Sequence, residues 1–186
     1  MKSQTTTTIN GINVNNLFNI IDSIKKNKEI AKFNFRVQNK WILGTENRTT
    51  VTDYYGACET RKKNKPHILT KDEPTILLGN DKGANPAEYV LAGLAGCMTT
   101  NLIFLASARG IKIDSIESFL EGDIDLRGTL QLDEMVNPGY RGINIVFEIK
   151  SNASRETLEE LIQLAKKTSP VANTVTKPTP ISVRLL

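Results

Sequence analysis

Asn85-Pro86-Ala87-Glu88-Tyr89-Val90-Leu91-Ala92-Gly93-Leu94-Ala95-Gly96-Cys97-Met98-Thr99-Thr100-Asn101-Leu102-Ile103-Phe104-Leu105-Ala106-Ser107-Ala108-Arg109-Gly110 is the stretch whose reading decides the fold. Asn85 suits a helix N-cap, Pro86 the first helical position, and Glu88 the third place of a capping box. Gly110 can take the left-handed conformation that closes a helix. The prediction is a helix of about 23 residues, roughly 35 Å long. Its 20 residues from Tyr89 to Ala108 carry no charge. That is the length of a bilayer span. The stretch nevertheless holds Thr99, Thr100, Asn101, Ser107 and two glycines, and amphipathic segments flank it. The expectation is therefore a core helix buried on all sides, and no membrane.

The flanking segments supply the layers. Upstream, Asn13 can cap a helix to about Lys26, with Leu17, Ile20, Ile21 and Ile24 as one stripe. Residues 1–12 read as loosely held, and 1–30 as a tail and amphipathic helix arm that packs on the body. Residues 31–55 read as strands, with Phe33, Phe35 and Val37 alternating. Residues 56–84 read as a long loop with one short strand at Ile76–Leu78. Downstream, 116–126 reads as a strand with Ile116, Leu120, Ile124 and Leu126 on one face, and Asn137-Pro138-Gly139 as a turn. Ile143, Ile145, Phe147 and Ile149 mark a second strand. Ser154 caps a helix to about Lys167 that Ser169-Pro170 ends, and Ile181, Val183 and Leu185 predict a last strand. Strands and helices are segregated, which gives the α+β class with antiparallel sheets around the central helix.

Composition agrees with a globular body. The chain has 186 residues, 39% hydrophobic and 24% charged, enough for one core and too apolar for disorder. The net charge is +4. Its densest basic run, Arg61-Lys62-Lys63-Asn64-Lys65, has no interleaved aromatic and reads as a solvated loop, so nucleic-acid binding is not expected. The start of the sequence lacks the apolar stretch of a secretory signal, and two cysteines are too few for a disulfide scaffold. The expected compartment is the cytoplasm.

The chemistry narrows to thiols. One histidine, His67, and two distant cysteines make no metal-ligand spacing, and no phosphate loop or nucleophile elbow is present, so no metal or cofactor is expected. Cys97 lies in the first half of the central helix among Ala92, Gly93, Ala95 and Gly96. Small neighbours can leave a slot over its sulfur, and the helix N-terminus favours a thiolate. A buried cysteine that merely packs gives the same pattern. Cys58 sits at a strand end, as a surface thiol or as an auxiliary one.

The block from Asn85-Pro86 to Cys97 resembles the central-helix signature of the OsmC/Ohr family, the osmotically inducible and organic hydroperoxide resistance proteins. The resemblance continues through Asp72-Glu73-Pro74, Gly79-Asn80-Asp81-Lys82-Gly83, Ala108-Arg109-Gly110-Ile111 and Ser169-Pro170-Val171. It covers about residues 31–186, which marks that stretch as an OsmC-like domain. It implies an intertwined homodimer with central helices sandwiched between antiparallel sheets and active sites at the interface. It further implies a peroxidatic cysteine assisted by an Arg and a Glu, and a second cysteine that resolves the sulfenic acid.

Carried over by position, Cys97 matches the peroxidatic cysteine. Ser169 stands where the second cysteine is expected, and a hydroxyl forms no disulfide. Ala87 stands where the helper Glu follows Asn-Pro; Glu88 is one place later, about 100° around the helix. Arg48, Arg61 and Lys71 are the open candidates for the thiolate-stabilising cation. The resemblance thus implies a one-cysteine organic hydroperoxide reductase using a thiol reductant. The alternative is a non-catalytic relative that binds a small apolar ligand in the interface slot.

Overall fold

The computed structural model describes residues 7–185; the expectation for residues 1–6 lies outside them. The described residues divide into two compact units: Thr7 with Asn13–Val90, and Thr8–Ile12 with 91–185.

The described N-terminal residues are not loose. Thr8–Ile9 (β1) and Ile12–Asn13 (β2) pair around Asn10 and Gly11, whose φ angles of +51° and +77° make a two-residue hairpin turn. Asn10 accepts from Ile113 N–H at 2.8 Å and donates to Ile111 O at 2.9 Å and Ser107 Oγ at 3.1 Å. The Asn-Gly pair was the signal for this turn.

In the first unit, α1 spans Val14–Lys26, and Asn13 Oδ1 caps it by accepting from Asn16 N–H at 2.9 Å. Its apolar stripe forms as expected, with Leu17 and Ile24 half-buried and Ile20 56% exposed. A 3₁₀ turn at Lys28–Ala31 leads to β3 (Phe33–Phe35), β4 (Gln38–Leu43), β5 (Glu46–Gly56) and β6 (Glu59–Lys71). The sheet is antiparallel with β5 central, β6 on one flank and β3 and β4 on the other.

β6 corrects the long-loop reading of 56–84. The basic run 61–65 lies on this edge strand, and lysine-rich edges resist further pairing. The β5–β6 turn is Ala57-Cys58, with φ of +51° and +68° and no glycine to announce it. Ile76–Leu78 is not a strand either: Thr75–Leu77 forms a 3₁₀ turn that ends on Leu78 at φ +65°. Charge suits an edge because its outer side faces water. Among the described residues of this unit no apolar side chain is buried; the buried ones are Glu46, Thr49 and Asp72.

Asp72 organises the segment that leads into the central helix. Its carboxylate accepts from Thr45 Oγ1 at 2.5 Å and from the backbone N–H groups of Glu73, Asn80 and Lys82 at 2.9, 3.0 and 3.3 Å. These bonds hold its pKa down to about 2. The two glycines of this segment have steric causes. A Cβ on Gly79 would lie 1.7 Å from Glu73 O, and one on Gly83 2.3 Å from Thr70 O.

The central helix, α2, spans Pro86–Ala108 as expected, running from the first unit into the second. Ala87 N–H donates to Asn85 Oδ1 at 2.7 Å, and Asn85 N–H donates to Glu88 Oε2 at 2.8 Å, closing the capping box. Gly110 follows at φ +74°. The second unit adds β7 (Ile113–Gly122), α3 (Leu126–Thr129), β8 (Ile143–Ser151), α4 (Arg155–Thr168) and α5 (Pro170–Thr176). β7 and β8 pair antiparallel. β7 stops at Gly122, so Ile124 lies beyond it and Leu126 opens α3. The last expected strand, at Ile181–Leu185, is absent among the described residues. These side chains are 86–99% exposed, and the period lacks a neighbour to pair with.

Leu94, Met98 and Leu102 recur every fourth residue on α2 and form the core with Ala165 and Ala172, against Ile116, Leu120, Ile145 and Phe147 of the sheet. Expected cover on every side is met on one face only. Val90 and Phe104 are each 40% exposed, and Gly93 and Gly96 have nothing within 4 Å of where a Cβ would stand. α2 is also the one described helix long and apolar enough to cross a membrane, and it carries the core of the second unit.

Candidate functional site

Cys97 is the twelfth residue of α2 and is half-buried. Eleven residues of rise put it about 17 Å from the helix start. A helix dipole acts over its first turn, so the expected help from the α2 N-terminus does not reach this sulfur. What reaches it comes from the α4–α5 junction.

Ser169 links the two helices. Its N–H donates to Ala165 O at 2.9 Å, closing α4, and its extended backbone starts α5 with Pro170 in the first turn. Ser169 Oγ accepts from Ala172 N–H at 3.1 Å as the N-cap of α5. The same hydroxyl donates its proton to Cys97 Sγ at 3.1 Å. Ser169 is 0% exposed, so water does not compete for this proton. In the sequence Ser169-Pro170 marks the end of α4 and, by resemblance, the place of the second cysteine, but α5 carries no signal that announces it.

Asn101 holds the junction in place. It follows Cys97 by one helical turn and shares its face. Its Nδ2 donates to Ala165 O at 3.2 Å and to Thr168 Oγ1 at 2.7 Å, both in the last turn of α4. In the sequence Asn101 tells only against a membrane span. A lone amide in an uncharged helix was its visible signal. Side chains on a helix lean toward its N-terminus, over the preceding turn. For Cys97 that turn carries Gly93, which has nothing within 4 Å of where a Cβ would stand among the described residues.

The other candidates belong to the first unit and are engaged there. Arg48 pairs with the buried Glu46 at 2.8 Å, and Lys82 pairs with the same carboxylate at 2.8 Å. The bond from Lys82, then that from Arg48, holds Glu46 below its usual range against its burial. Lys71 Nζ donates to Thr49 Oγ1 and stands 5.8 Å from the Tyr89 ring centroid; burial lowers its pKa. Arg61 pairs with Glu59 at 2.5 Å. Cys58 is exposed in the β5–β6 turn. Glu88 serves the helix cap. The structure thus brings Cys97 and Ser169 together, and places Cys58, Arg48, Arg61 and Lys71 in the first unit. Among the described residues no three of His, Cys, Asp and Glu gather closely enough to hold a metal.

A half-buried thiol with one buried donor on its sulfur and a bare turn beside it is suited to nucleophilic attack on a small electrophile. Comparison with known proteins bears on this. A family profile described as OsmC-like protein matches residues 79–184, more than half of the chain. A hydroperoxide reductase of Mycoplasma genitalium is 31% identical over 99 residues, covering 50% of this chain and 63% of that protein, less than two thirds of its length. The crystal structure of an OsmC-like protein from Mycoplasma pneumoniae matches with a TM-score of 0.57 at 22% identity, over 76% of this chain and 86% of that one. An organic hydroperoxide resistance protein OsmC from Legionella pneumophila matches with a TM-score of 0.53 at 17% identity, over 76% and 90%. The structural likenesses establish the α+β fold, and the profile match establishes the family: this chain belongs to the OsmC-like proteins.

Proposed function

We propose that this chain is a one-cysteine hydroperoxide reductase that reduces small organic hydroperoxides through Cys97, with electrons from an external thiol. The observation that carries the reading is the bond from Ser169 Oγ to Cys97 Sγ. The Cys97 thiolate attacks the distal oxygen of the hydroperoxide. The O–O bond breaks, the alkoxide leaves and takes a proton from water to become the alcohol, and the sulfur, oxidised by two electrons, becomes a sulfenic acid. Ser169 offers this acid a hydroxyl and no thiol. An external thiol then attacks the sulfur and releases water, and a second thiol cleaves the mixed disulfide, restoring Cys97. The name of the Mycoplasma genitalium relative supports the reaction class.

The working form in this proposal is a homodimer. The half-exposed face of α2 and the lack of a buried apolar side chain among the first unit's described residues support it, as does an aromatic cluster across β3 and β5. There Phe33, Phe35 and Tyr54 have ring centroids 5.9–6.3 Å apart, with Phe35 77% exposed. Exposed apolar surface of this kind marks an interface.

The test is turnover of tert-butyl hydroperoxide with mono- and dithiol reductants. Wild type and Cys58→Ser turn over, and Cys97→Ser does not. Turnover no faster in wild type than in Cys97→Ser overturns the reading. Light scattering that shows a folded monomer at micromolar concentration overturns the dimer.

A further inference from the structure

The second unit contains a cavity of about 300 Å³ that Cys97 does not line. Leu94 and Met98 of α2, Ile143 and Ile145 of β8 and Val175 of α5 form its apolar wall. Leu94 and Met98 are 4% and 2% exposed, so the wall is continuous with the core. Two cations line the same cavity: Arg141, just before β8, and Lys166, in the last turn of α4. No carboxylate lines it. Among the described residues neither cation is held in an ion pair.

The surroundings give the site a direction. Arg141 also faces a polar cleft that holds Glu121 and Asp123, and its charge contributes to lowering the pKa of Asp125. Asp125 is already bound by Arg127 at 2.6 Å. Lys166 shares an adjoining cleft with Lys167 and Lys177 and no acidic group. Positive charge therefore dominates the Lys166 side. The geometry points to a binding site for a medium-chain carboxylate, its chain against Leu94, Met98 and Ile145 and its head group on Lys166 and Arg141. A volume of 300 Å³ is the lower end of the ligand-site range of about 300–1,000 Å³, which suits a chain of about eight carbons better than a long lipid. A guanidinium and an ammonium are the side chains that bind a carboxylate by charged hydrogen bonds. The assignment does not rest on the redox chemistry of Cys97, and binding is measured without turnover.

The experiment is calorimetric titration of the intact protein with octanoate, hexanoate and octanol. Octanoate is expected to bind once per chain. Hexanoate is weaker by about fifteenfold, because it has two methylenes fewer and each buried one contributes about fourfold. Octanol, without the charge, is weaker than octanoate. Lys166→Gln and Arg141→Gln each weaken octanoate by about fivefold and leave octanol unchanged. Both side chains are exposed, so these variants are expected to fold as wild type does. Val175→Trp fills the cavity and abolishes binding of all three ligands; should it fail to fold, the two Gln variants decide. No binding of octanoate at millimolar concentration, equal affinity for octanoate and octanol, or octanoate affinity unchanged in both Gln variants overturns the inference.

Discussion

Replacing Ser169 with cysteine gives a stability change whose sign depends on redox state. In the native chain Ser169 Oγ and Cys97 Sγ are 3.1 Å apart, and a disulfide needs about 2.05 Å. The longer carbon–sulfur bond and a small side-chain rotation are asked to close a gap of about 1 Å. Reduced, the Ser169→Cys variant loses the serine cap on Ala172 N–H, which costs about 1 kcal/mol. Oxidised, it closes a loop across 72 positions, which the chain-entropy account values at about 4 kcal/mol. The net is about 3 kcal/mol in favour of the crosslinked form. For a chain of this size each kcal/mol moves the melting point by about 2–4 °C. The reduced variant should therefore melt about 3 °C below wild type and the oxidised variant about 10 °C above it. Intact-mass measurement after one equivalent of peroxide should show the loss of two hydrogens, and peptide mapping should place the bond between residues 97 and 169. A folded dithiol form that does not crosslink, a bond through Cys58 instead, or equal melting points with and without reductant would refute the geometry.

Four further outcomes follow from particular contacts. Gly79→Ala forces a Cβ against the Glu73 carbonyl and should cost about 3 kcal/mol in chemical denaturation; an unchanged midpoint would count against the close approach. Asp72 has a folded pKa of about 2, below its ordinary 3.8, so its contribution to stability is complete above about pH 4 and is lost as the pH falls toward 2. Asp72→Asn should flatten the fall of stability with acid in that window, and an identical slope in both proteins would contradict this. Gly93→Ala gains about 1 kcal/mol if the α2 face stays open and weakens association if a second copy closes over it; dilution-dependent light scattering should show the weakening. Dimedone, after limiting organic hydroperoxide, should label Cys97 and spare Cys58, and the reverse pattern would defeat the proposed nucleophile.

Helix ends were the most legible features, because a cap is local chemistry. Asn13, Asn85 and Ser154 each occupy an N-cap, and Asn13 and Ser154 accept from the backbone N–H three residues on, as their sequences suggest. β6 was not legible, since its charged run carries no alternating pattern and its ladder with β5 alone makes it a strand. The turn before it has two positive φ angles on Ala57 and Cys58, and neither residue advertises that conformation. At Ile181–Leu185 the failure runs the other way. Alternation names the face a strand would bury, but it does not supply the neighbouring strand. The site was half legible. Cys97 and Ser169 were brought together by resemblance alone, as they are 72 positions apart in sequence. Asn101 was visible as a polar residue in an apolar helix, while its partners 64 and 67 positions away were not.

Residue 169 has two tasks that pull on one atom. The α5 cap needs an acceptor for Ala172 N–H, and oxygen accepts far better than sulfur. The sulfur of Cys97 needs a donor, and a hydroxyl has a single proton. Serine meets both demands at once because the cap takes a lone pair and leaves the proton for Cys97. Alanine meets neither, so the loss of stability in Ser169→Ala would be mixed with the loss of the contact. Threonine keeps both polar functions and adds a methyl group to a fully buried position, so it tests packing alone. Under the proposed chemistry, alkylation of Cys97 by iodoacetamide should slow in Ser169→Ala and hold in any Ser169→Thr protein that folds. If the rate falls equally in both, the hydroxyl is not what prepares the thiol, and the contact serves the cap alone.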